Sequence, residues 1–268
     1  MSKEPAIEFM RKVTALPDGQ PVLIAGPTAS GKSALALRVA EEIGGRIINA
    51  DAIQVFSNWR ILTARPDEMD EQRAEHRLYG HVPGDMPYSV GQWLREIGPL
   101  LNDGKRPIVV GGTGLYFTAL TEGLAEIPPT PEEIRNGANT LMETHGHVWM
   151  AEQLDAKTQD RIDLNNPVRV QRAWEVLRAT GRGLASWQDD TPPPLLPLQR
   201  TCAVVMDAPK EWLTPRIEKR FDAMLDAGAL EEARANLADW SPDHPSSKAI
   251  GASELIAVLQ GSLTLDQA

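Results

Sequence analysis

Val22-Leu23-Ile24-Ala25-Gly26-Pro27-Thr28-Ala29-Ser30-Gly31-Lys32-Ser33 decides the fold of this chain. Its last eight residues match the phosphate-loop pattern G-x-x-x-x-G-K-[ST], and the apolar run before them supplies the buried strand that delivers a chain to such a loop. Ser33-Ala34-Leu35-Ala36-Leu37-Arg38-Val39-Ala40 continues as a helix, with good helix formers and apolar side chains at helical spacing. Strand, glycine-rich turn and helix together aim backbone N–H groups and the positive helix end at one anion. A di- or triphosphate is therefore the expected ligand of Gly26, Pro27, Thr28, Ala29, Ser30, Gly31, Lys32 and Ser33. Lys32 is the point charge for the phosphates, and Ser33 is the expected ligand of Mg²⁺.

Working outward, Arg46-Ile47-Ile48-Asn49-Ala50 reads as a second buried strand ending at Asp51, and Ile108-Val109-Val110 as a third, ending in Gly111-Gly112-Thr113-Gly114. Between them Ser89 to Leu101 is helix-like, with Ser89 as cap and Val90, Trp93, Leu94 and Ile97 on one face. Strands alternating with helices predict a parallel sheet flanked by helices, with ligands at the carboxyl ends of the strands. Gly26, Asp51 and Thr113 each follow a strand end, so three loops are expected to converge on one crevice.

Ile127-Pro128-Pro129-Thr130-Pro131 interrupts this alternation, and residues 131–183 read as a helical insertion. Pro131, followed by Glu132 and Glu133, is a helix start. Within Val168 to Thr180, the positions Val168, Ala173, Val176 and Leu177 form an apolar stripe, and Arg169, Gln171, Arg172 and Glu175 are polar. Thr191-Pro192-Pro193-Pro194 is a rigid linker by composition. Thr201 to Met206 reads as a strand returning to the sheet, and Trp212 to Leu237 as helix. The expected organisation is a core of residues 1–130 and 184–268 around the insertion.

Composition narrows the setting. The sequence has 268 residues, a formal net charge of −10 and a single cysteine, Cys202. That charge argues against broad attraction to nucleic acid, although a local basic face remains compatible with it. One cysteine allows neither an internal disulfide nor a cysteine metal cluster, and fits a cytoplasmic protein. No run approaches the roughly 18 apolar residues of a membrane helix.

The phosphate loop alone does not choose a reaction. A hydrolase strand ending in an Mg²⁺-binding acid is missing at Ile108-Val109-Val110. Asp51, the carboxylate at an early strand end, reads as a base, a water-mediated metal contact, or a plain helix N-cap before Ala52-Ile53-Gln54-Val55. Thr113 reads either as a polar contact or as an incidental hydroxyl in a turn.

Taken together, Gly26–Ser33, Asp51-Ala-Ile-Gln54, Thr63-Ala-Arg-Pro66, Glu75-His76-Arg77-Leu78, Tyr88-Ser89-Val90 and Gly111-Gly-Thr-Gly-Leu-Tyr-Phe117 stand in the order found in bacterial tRNA dimethylallyltransferases. Asn166-Pro-Val-Arg-Val-Gln-Arg-Ala-Trp-Glu175 resembles that family's N-P-x-R-x-x-R-A-x-E helix, and Arg216-Ile-Glu-Lys-Arg-Phe221, Gly228-Ala-Leu-Glu-Glu232 and Ala249-Ile-Gly251 are similar to later family segments.

The resemblance implies a P-loop NTPase-like α/β enzyme moving a dimethylallyl group from its diphosphate to N6 of the adenosine 3′ of the anticodon. It implies Asp51 as base, Thr113 as a further contact to the base or the diphosphate, and Arg220, or less favourably Arg216, as a clamp on the diphosphate. Asp51, Ala52, Ile53, Gln54 and Thr113 would meet the target nucleotide. Arg135, Arg169, Gln171 and Arg172 would grip the anticodon stem-loop. Without the resemblance, a solvated basic stripe is the favoured reading of Arg169 and Arg172.

The implied partners are tRNA and dimethylallyl diphosphate, with Mg²⁺ as cofactor; a monomer and no membrane partner are expected. His76 is read as structural. Ala52 stands where family members often carry Ser, which removes one hydroxyl contact. The family's basic T-R-Q-x-A-K-R-Q-x-T-W helix does not occur before Ala268, so either the sequence is cut short of it or part of the RNA grip has been lost. The competing readings are a small-molecule kinase using ATP, a free-nucleotide prenyltransferase, and a catalytically silent tRNA-binding protein.

Overall fold

The computed structural model describes residues 4–268. The strands are β1 (Val22–Ala25), β2 (Arg46–Asn49), β3 (Glu75–Arg77), β4 (Pro107–Gly111) and β5 (Cys202–Val205). The helices are α1 (Glu4–Thr14), α2 (Lys32–Ile43), α3 (Glu68–Arg73), α4 (Val90–Leu100), α5 (Gly114–Glu122), α6 (Glu132–Glu152), α7 (Ala156–Arg161), α8 (Pro167–Thr180), α9 (Leu184–Asp189), α10 (Lys210–Asp226), α11 (Ala229–Asn236) and α12 (Ala252–Leu259).

The chain divides into two compact units, one formed by the residues up to Thr121 with Leu195–Ala268, the other by Glu122–Pro194. The first carries the sheet, in the order β3-β2-β4-β1-β5, with every pairing parallel. Side chains alternate along each strand, so the sheet has two apolar faces. Val22, Ile24, Ile47, Ile108 and Val110 pack with Phe9 and Val13 of α1 and Leu35, Ala36 and Val39 of α2. Leu23, Ile48 and Val109 pack with Trp93 and Ile97 of α4 and Tyr116 and Leu120 of α5. This is the helix-flanked parallel sheet that the sequence implies. Ser89 caps α4 in a full capping box with Gln92, and the indole of Trp93 donates to the Asn49 carbonyl at 2.7 Å.

Three local readings change. Glu75–Arg77 is a strand, β3, pairing with β2 at the sheet edge. Three residues, two of them charged and none fully buried, give too little periodicity to find. The helix expected over Trp212 to Leu237 is two helices, because Gly228 turns the chain at φ 100°. In α8 the inner face is Val170, Ala173, Trp174 and Val176, with Glu175 buried beside them and Val168 77% exposed. Val168 stands two residues, about 200° of helix rotation, from Val170, and so points away from the face that packs on α6.

The second unit has its own core of Ala138, Met150, Ala151, Leu154, Val170, Ala173 and Trp174. It extends past both ends of residues 131–183. At its far end α9 belongs to it: Ala185 is fully buried with its N–H on Thr158 Oγ1 at 3.2 Å, and Arg161 binds Asp189 at 2.6 Å. At its near end the chain at Gly123 runs against the returning chain, where an added Cβ would fall 2.4 Å from the Pro192 carbonyl oxygen.

Candidate active site

Loops leave the carboxyl ends of β1, β2 and β4, and backbone bonds draw them together. Gly26 N donates to Gly111 O at 3.3 Å, and Thr113 N to Ala50 O at 3.2 Å. At Gly111 a Cβ would lie 2.0 Å from the Ala50 carbonyl oxygen, so only glycine lets β2 and β4 part this closely.

The phosphate loop takes left-handed φ at Ala29 (62°) and Gly31 (92°), turning its N–H groups toward one side. α2 begins at Lys32 with no side-chain cap, which leaves first-turn N–H groups for an anion. The Ser30 hydroxyl is buried without a hydrogen-bond partner, a donor that a phosphate oxygen would satisfy. Pro27 and Thr28 form the loop's exposed side, and Lys32 Nζ folds back to donate to the Pro27 carbonyl at 3.2 Å. Ser33 is exposed and borders a cavity of about 40 Å³ with Gln54, His76 and Tyr79.

Asn49, which ends β2, is fully buried and fixes the course of the Asp51 turn. Its Oδ1 accepts from Asp51 N at 2.9 Å, and its Nδ2 donates to the carbonyls of Asp51 (2.9 Å) and Leu78 (3.0 Å). A buried polar residue closing an apolar strand was the sequence signal for it. Residues 52–55 form turns, not a helix, so Asp51 is no helix N-cap. Its Oδ1 nonetheless ties the turn down, accepting from Ile53 N at 3.0 Å and Gln54 N at 3.4 Å. Oδ2 faces Gly112, 3.5 Å from where a Cβ on that glycine would stand. One oxygen holds backbone and the other remains for a substrate.

Thr113 Oγ1 accepts from Ala52 N at 2.9 Å, which fixes the Asp51 turn and leaves the hydroxyl proton free to donate. Gln54 spends its amide N–H donors on the carbonyls of Thr63 (2.8 Å) and Ala64 (3.0 Å), so its Oε1 is what remains for a base. Ile53 packs beside Trp59 and Leu62, and Ala52 beside Trp93 and Tyr116.

The charges here act on one another. Burial lowers the Lys32 ammonium below its ordinary value, Asp51 opposes the shift and Arg220 adds to it. Arg220 on α10 is likewise lowered by burial and supported by Asp51. Two desolvated cations and one carboxylate thus share a site, with no ion pair within 4.0 Å joining them among the described residues. Arg216 instead lies over the Trp212 ring, 4.1 Å from its centroid. His76 is structural in its contacts, with Nδ1 on the Ala74 carbonyl at 2.9 Å and its ring edge-on to Tyr79. No cluster of three His, Cys, Asp or Glu suited to a metal occurs among the described residues. Mg²⁺ held by one hydroxyl and by phosphate oxygens needs none, and Ser33 beside an anion loop fits it.

In the second unit the four residues expected to grip RNA differ in their commitments. Arg172 Nη1 donates to Thr130 Oγ1 at 2.6 Å and lies 3.5 Å from Glu175, while Gln171 Nε2 donates to Asn139 (2.7 Å) and Glu175 (3.2 Å). Arg135 and Arg169 are exposed and make no ion pair or side-chain hydrogen bond among the described residues.

Known proteins resemble this chain in sequence and fold. The family described as IPP transferase matches residues 54–268, and that described as isopentenyl transferase matches residues 20–81. A tRNA dimethylallyltransferase of Dinoroseobacter shibae is 61% identical over 258 residues, spanning 96% of this chain and 87% of the relative. Its counterpart in Paracoccus denitrificans is 56% identical, over 94% and 86%. The crystal structure of a tRNA isopentenylpyrophosphate transferase from Bacillus halodurans superposes with a TM-score of 0.61 at 27% identity, covering 92% of this chain and 80% of that one. A eukaryotic dimethylallyltransferase shares the fold, with a TM-score of 0.70 at 22% identity over 90% and 66% of the two chains. No helix among the described residues is long and apolar enough to cross a membrane. On a family match that takes in most of its length and on relatives this similar, the chain belongs to the IPP transferase family.

Proposed function

We infer that this chain is a tRNA dimethylallyltransferase, moving a dimethylallyl group from its diphosphate to N6 of the adenosine 3′-adjacent to the anticodon. The observation that carries this reading is Asp51: one carboxylate oxygen is bound to its own turn and the other faces the Gly112 loop, beside two cations that its charge supports. The loop amides, Ser30, Lys32 and Arg220 hold the diphosphate, and Ser33 would hold Mg²⁺, which supplies further charge neutralisation to the leaving group.

The N6 lone pair attacks C1 of the dimethylallyl group, the C1–O bond breaks, and its electron pair leaves on the diphosphate. The N6 proton passes to Asp51 Oδ2. An exocyclic amine is a weak nucleophile, so orientation and proton removal both count. Thr113, whose hydroxyl proton is free, positions the Asp51 turn and donates to the base or the diphosphate. The base must leave its stack to reach such a pocket. Arg135 and Arg169, with Gln171 and Arg172 held in place by Glu175, take the stem-loop backbone.

The test is incubation of the protein with Mg²⁺, dimethylallyl diphosphate and an unmodified anticodon stem-loop, followed by mass spectrometry of the nucleosides. Dimethylallyladenosine at that one position is expected. ATP turnover without a prenylated nucleoside would replace this reading with a kinase. Prenylation of free AMP in preference to the stem-loop would move the acceptor to a nucleotide.

A further inference from the structure

Residues 57–66 follow the Asp51 turn, and the first unit holds them from several sides. Glu232 of α11 accepts from the backbone N–H groups of Arg60 (2.6 Å), Ile61 (2.9 Å) and Leu62 (2.9 Å). Asn236 donates to the Asn58 carbonyl at 2.9 Å, and Gln54 to those of Thr63 and Ala64. Ala64 is kept at φ 49°, a left-handed conformation that non-glycine residues seldom adopt. So many bonds give this loop one course.

What the loop presents is a pair of guanidinium groups. Arg60 directs Nε and Nη2 at the Pro66 carbonyl, at 3.3 and 3.0 Å. Arg65 has less. It is half-buried and forms no ion pair among the described residues; its Nη2 donates to the Ser57 carbonyl at 3.3 Å, and its Nε is buried with no acceptor. Its fork lies across Gly80, where a Cβ would stand 1.1 Å from Nη1, so a side chain at that position would displace the guanidinium. Gly80 N in turn donates to the Gln54 carbonyl at 2.9 Å, which seats Arg65 against the strand of chain that leads from Asp51. Buried donors are ordinarily satisfied, and the Nε of this half-buried guanidinium is not; it lies beside a second cation, Arg60, which Glu71 meets at 3.9 Å. Its surroundings suit an anion that arrives from outside.

Resting on the function proposed above, we propose that Arg65, with Arg60 beside it, binds a phosphodiester of the acceptor RNA next to the nucleotide whose base reaches Asp51. The planar fork matches two phosphate oxygens, and the backbone flanking an extruded base must cross the rim of the pocket that takes it. The donor diphosphate is a separate ligand. The charges acting on Arg65 are those of Arg60, Glu232 and Glu71, whereas those acting on Lys32 are Asp51 and Arg220, and the one acting on Arg220 is Asp51.

The experiment measures affinity of the full chain for an anticodon stem-loop across a salt series, for the wild type, Arg65→Gln and Arg65→Lys. Arg65→Gln should weaken binding about tenfold and flatten the salt slope by roughly 0.7–0.9, one phosphate contact. Arg65→Lys should keep the slope and lose about threefold, since the charge stays and the fork goes. Affinity for dimethylallyl diphosphate should not change in either.

In parallel, single methylphosphonate linkages around the target adenosine remove one phosphate charge at a time. One position should cost the wild type about the same factor and cost Arg65→Gln nothing further. Should Arg65→Gln not fold, the same position must still cost Arg65→Lys less than the wild type. Wild-type affinity and slope in Arg65→Gln, or no linkage whose cost vanishes in Arg65→Gln or falls in Arg65→Lys, overturns the proposal; a fall in diphosphate affinity reassigns Arg65 to the donor. Failure of the wild type to prenylate the stem-loop is a different result, and it overturns the function while the phosphate scan still reads Arg65.

Discussion

The two ends of the sheet handle charge in opposite ways. At the amino ends of β2, β3 and β4, Arg46 is 5% exposed and bonds Glu75 at 3.0 Å and Asp103, while Glu75 also takes Lys105 at 2.7 Å and Arg77 at 2.8 Å. Arg106 there gives its guanidinium to the carbonyls of Gln20 (2.7 Å) and Pro17 (3.1 Å). An open depression of about 430 Å³ lies at this end, and Glu75, Lys105 and Arg106 in its lining are answered from within, while Asp18 there forms no ion pair among the described residues. At the carboxyl ends, Lys32, Asp51 and Arg220 form no ion pair among the described residues, and the Ser30 hydroxyl is buried without a hydrogen-bond partner. A paired cluster is finished without a ligand and serves stability; an unpaired one is finished by what it binds. Pairing separates the two ends better than cavity size does.

If that contrast is right, substitution at Asp51 should damage chemistry and spare the fold. Asp51→Ala should lower the single-turnover rate of prenyl transfer by roughly 10²–10⁴. Asp51→Asn keeps an oxygen to accept from Ile53 N and Gln54 N, so it should preserve the turn and still lose the rate. Rapid-quench turnover with thermal unfolding of both variants checks this. A normal rate in Asp51→Asn would make the carboxylate a turn cap only.

Arg46→Met should give the reverse signature. Removing one partner of a buried pair leaves carboxylates uncompensated and should cost about 3 kcal/mol of folding stability in urea titrations. Affinity of the folded variant for dimethylallyl diphosphate should match the wild type. Altered affinity with undiminished stability would erase the distinction between the two ends.

The same cluster should show in acid. Lys105 first, then Arg46 and Arg77, hold Glu75 at about 2 against the ordinary 4.5, with burial opposing them. A carboxylate lowered in the folded state favours folding where it is charged, so its contribution is complete above about pH 4.5 and is lost as pH falls toward 2. Screening by water and salt limits this to about 1 kcal/mol. In Glu75→Gln the urea midpoint should fall less steeply between those pH values than in the wild type. Equal slopes would mean that the cluster is solvated.

How legible each end was in the sequence depends on how local its parts are. Gly26–Ser33 is one contiguous motif, and Asp51 and Thr113 were found because a strand end is a local signal. Arg46, Glu75 and Asp103 carry none; their partnership exists only once β2, β3 and β4 lie side by side. Asn49 and Thr113 show the same limit within the site, because the bonds they make to Leu78 O and Ala52 N join segments distant in sequence. Arg65 and Glu232 were visible in segments similar to the family's, but what each touches depends on a loop and a helix distant in sequence.

The smallest expected effect carries the pairing argument into the second unit. Sequence spacing treats Arg169 and Arg172 alike, three apart on one helix. The structure does not: Arg172 is held by Thr130 and Glu175, and the Arg169 guanidinium has no partner among the described residues. A guanidinium already bonded to a hydroxyl and a buried carboxylate gives up part of that bonding to take a phosphate, whereas a free one gives up only water. Arg169→Ala should therefore flatten the salt dependence of stem-loop binding by roughly 0.7–0.9, and Arg135→Ala by a similar amount. Arg172→Ala should change the slope by less and should lower stability more, since it leaves Glu175 buried without its cation. Salt series for the three single variants, each with a urea titration, separate the two roles. If Arg172→Ala gave the larger change in slope and no loss of stability, internal pairing would not mark structural charges in this unit, and the comparison between the two ends of the sheet would hold for the sheet alone.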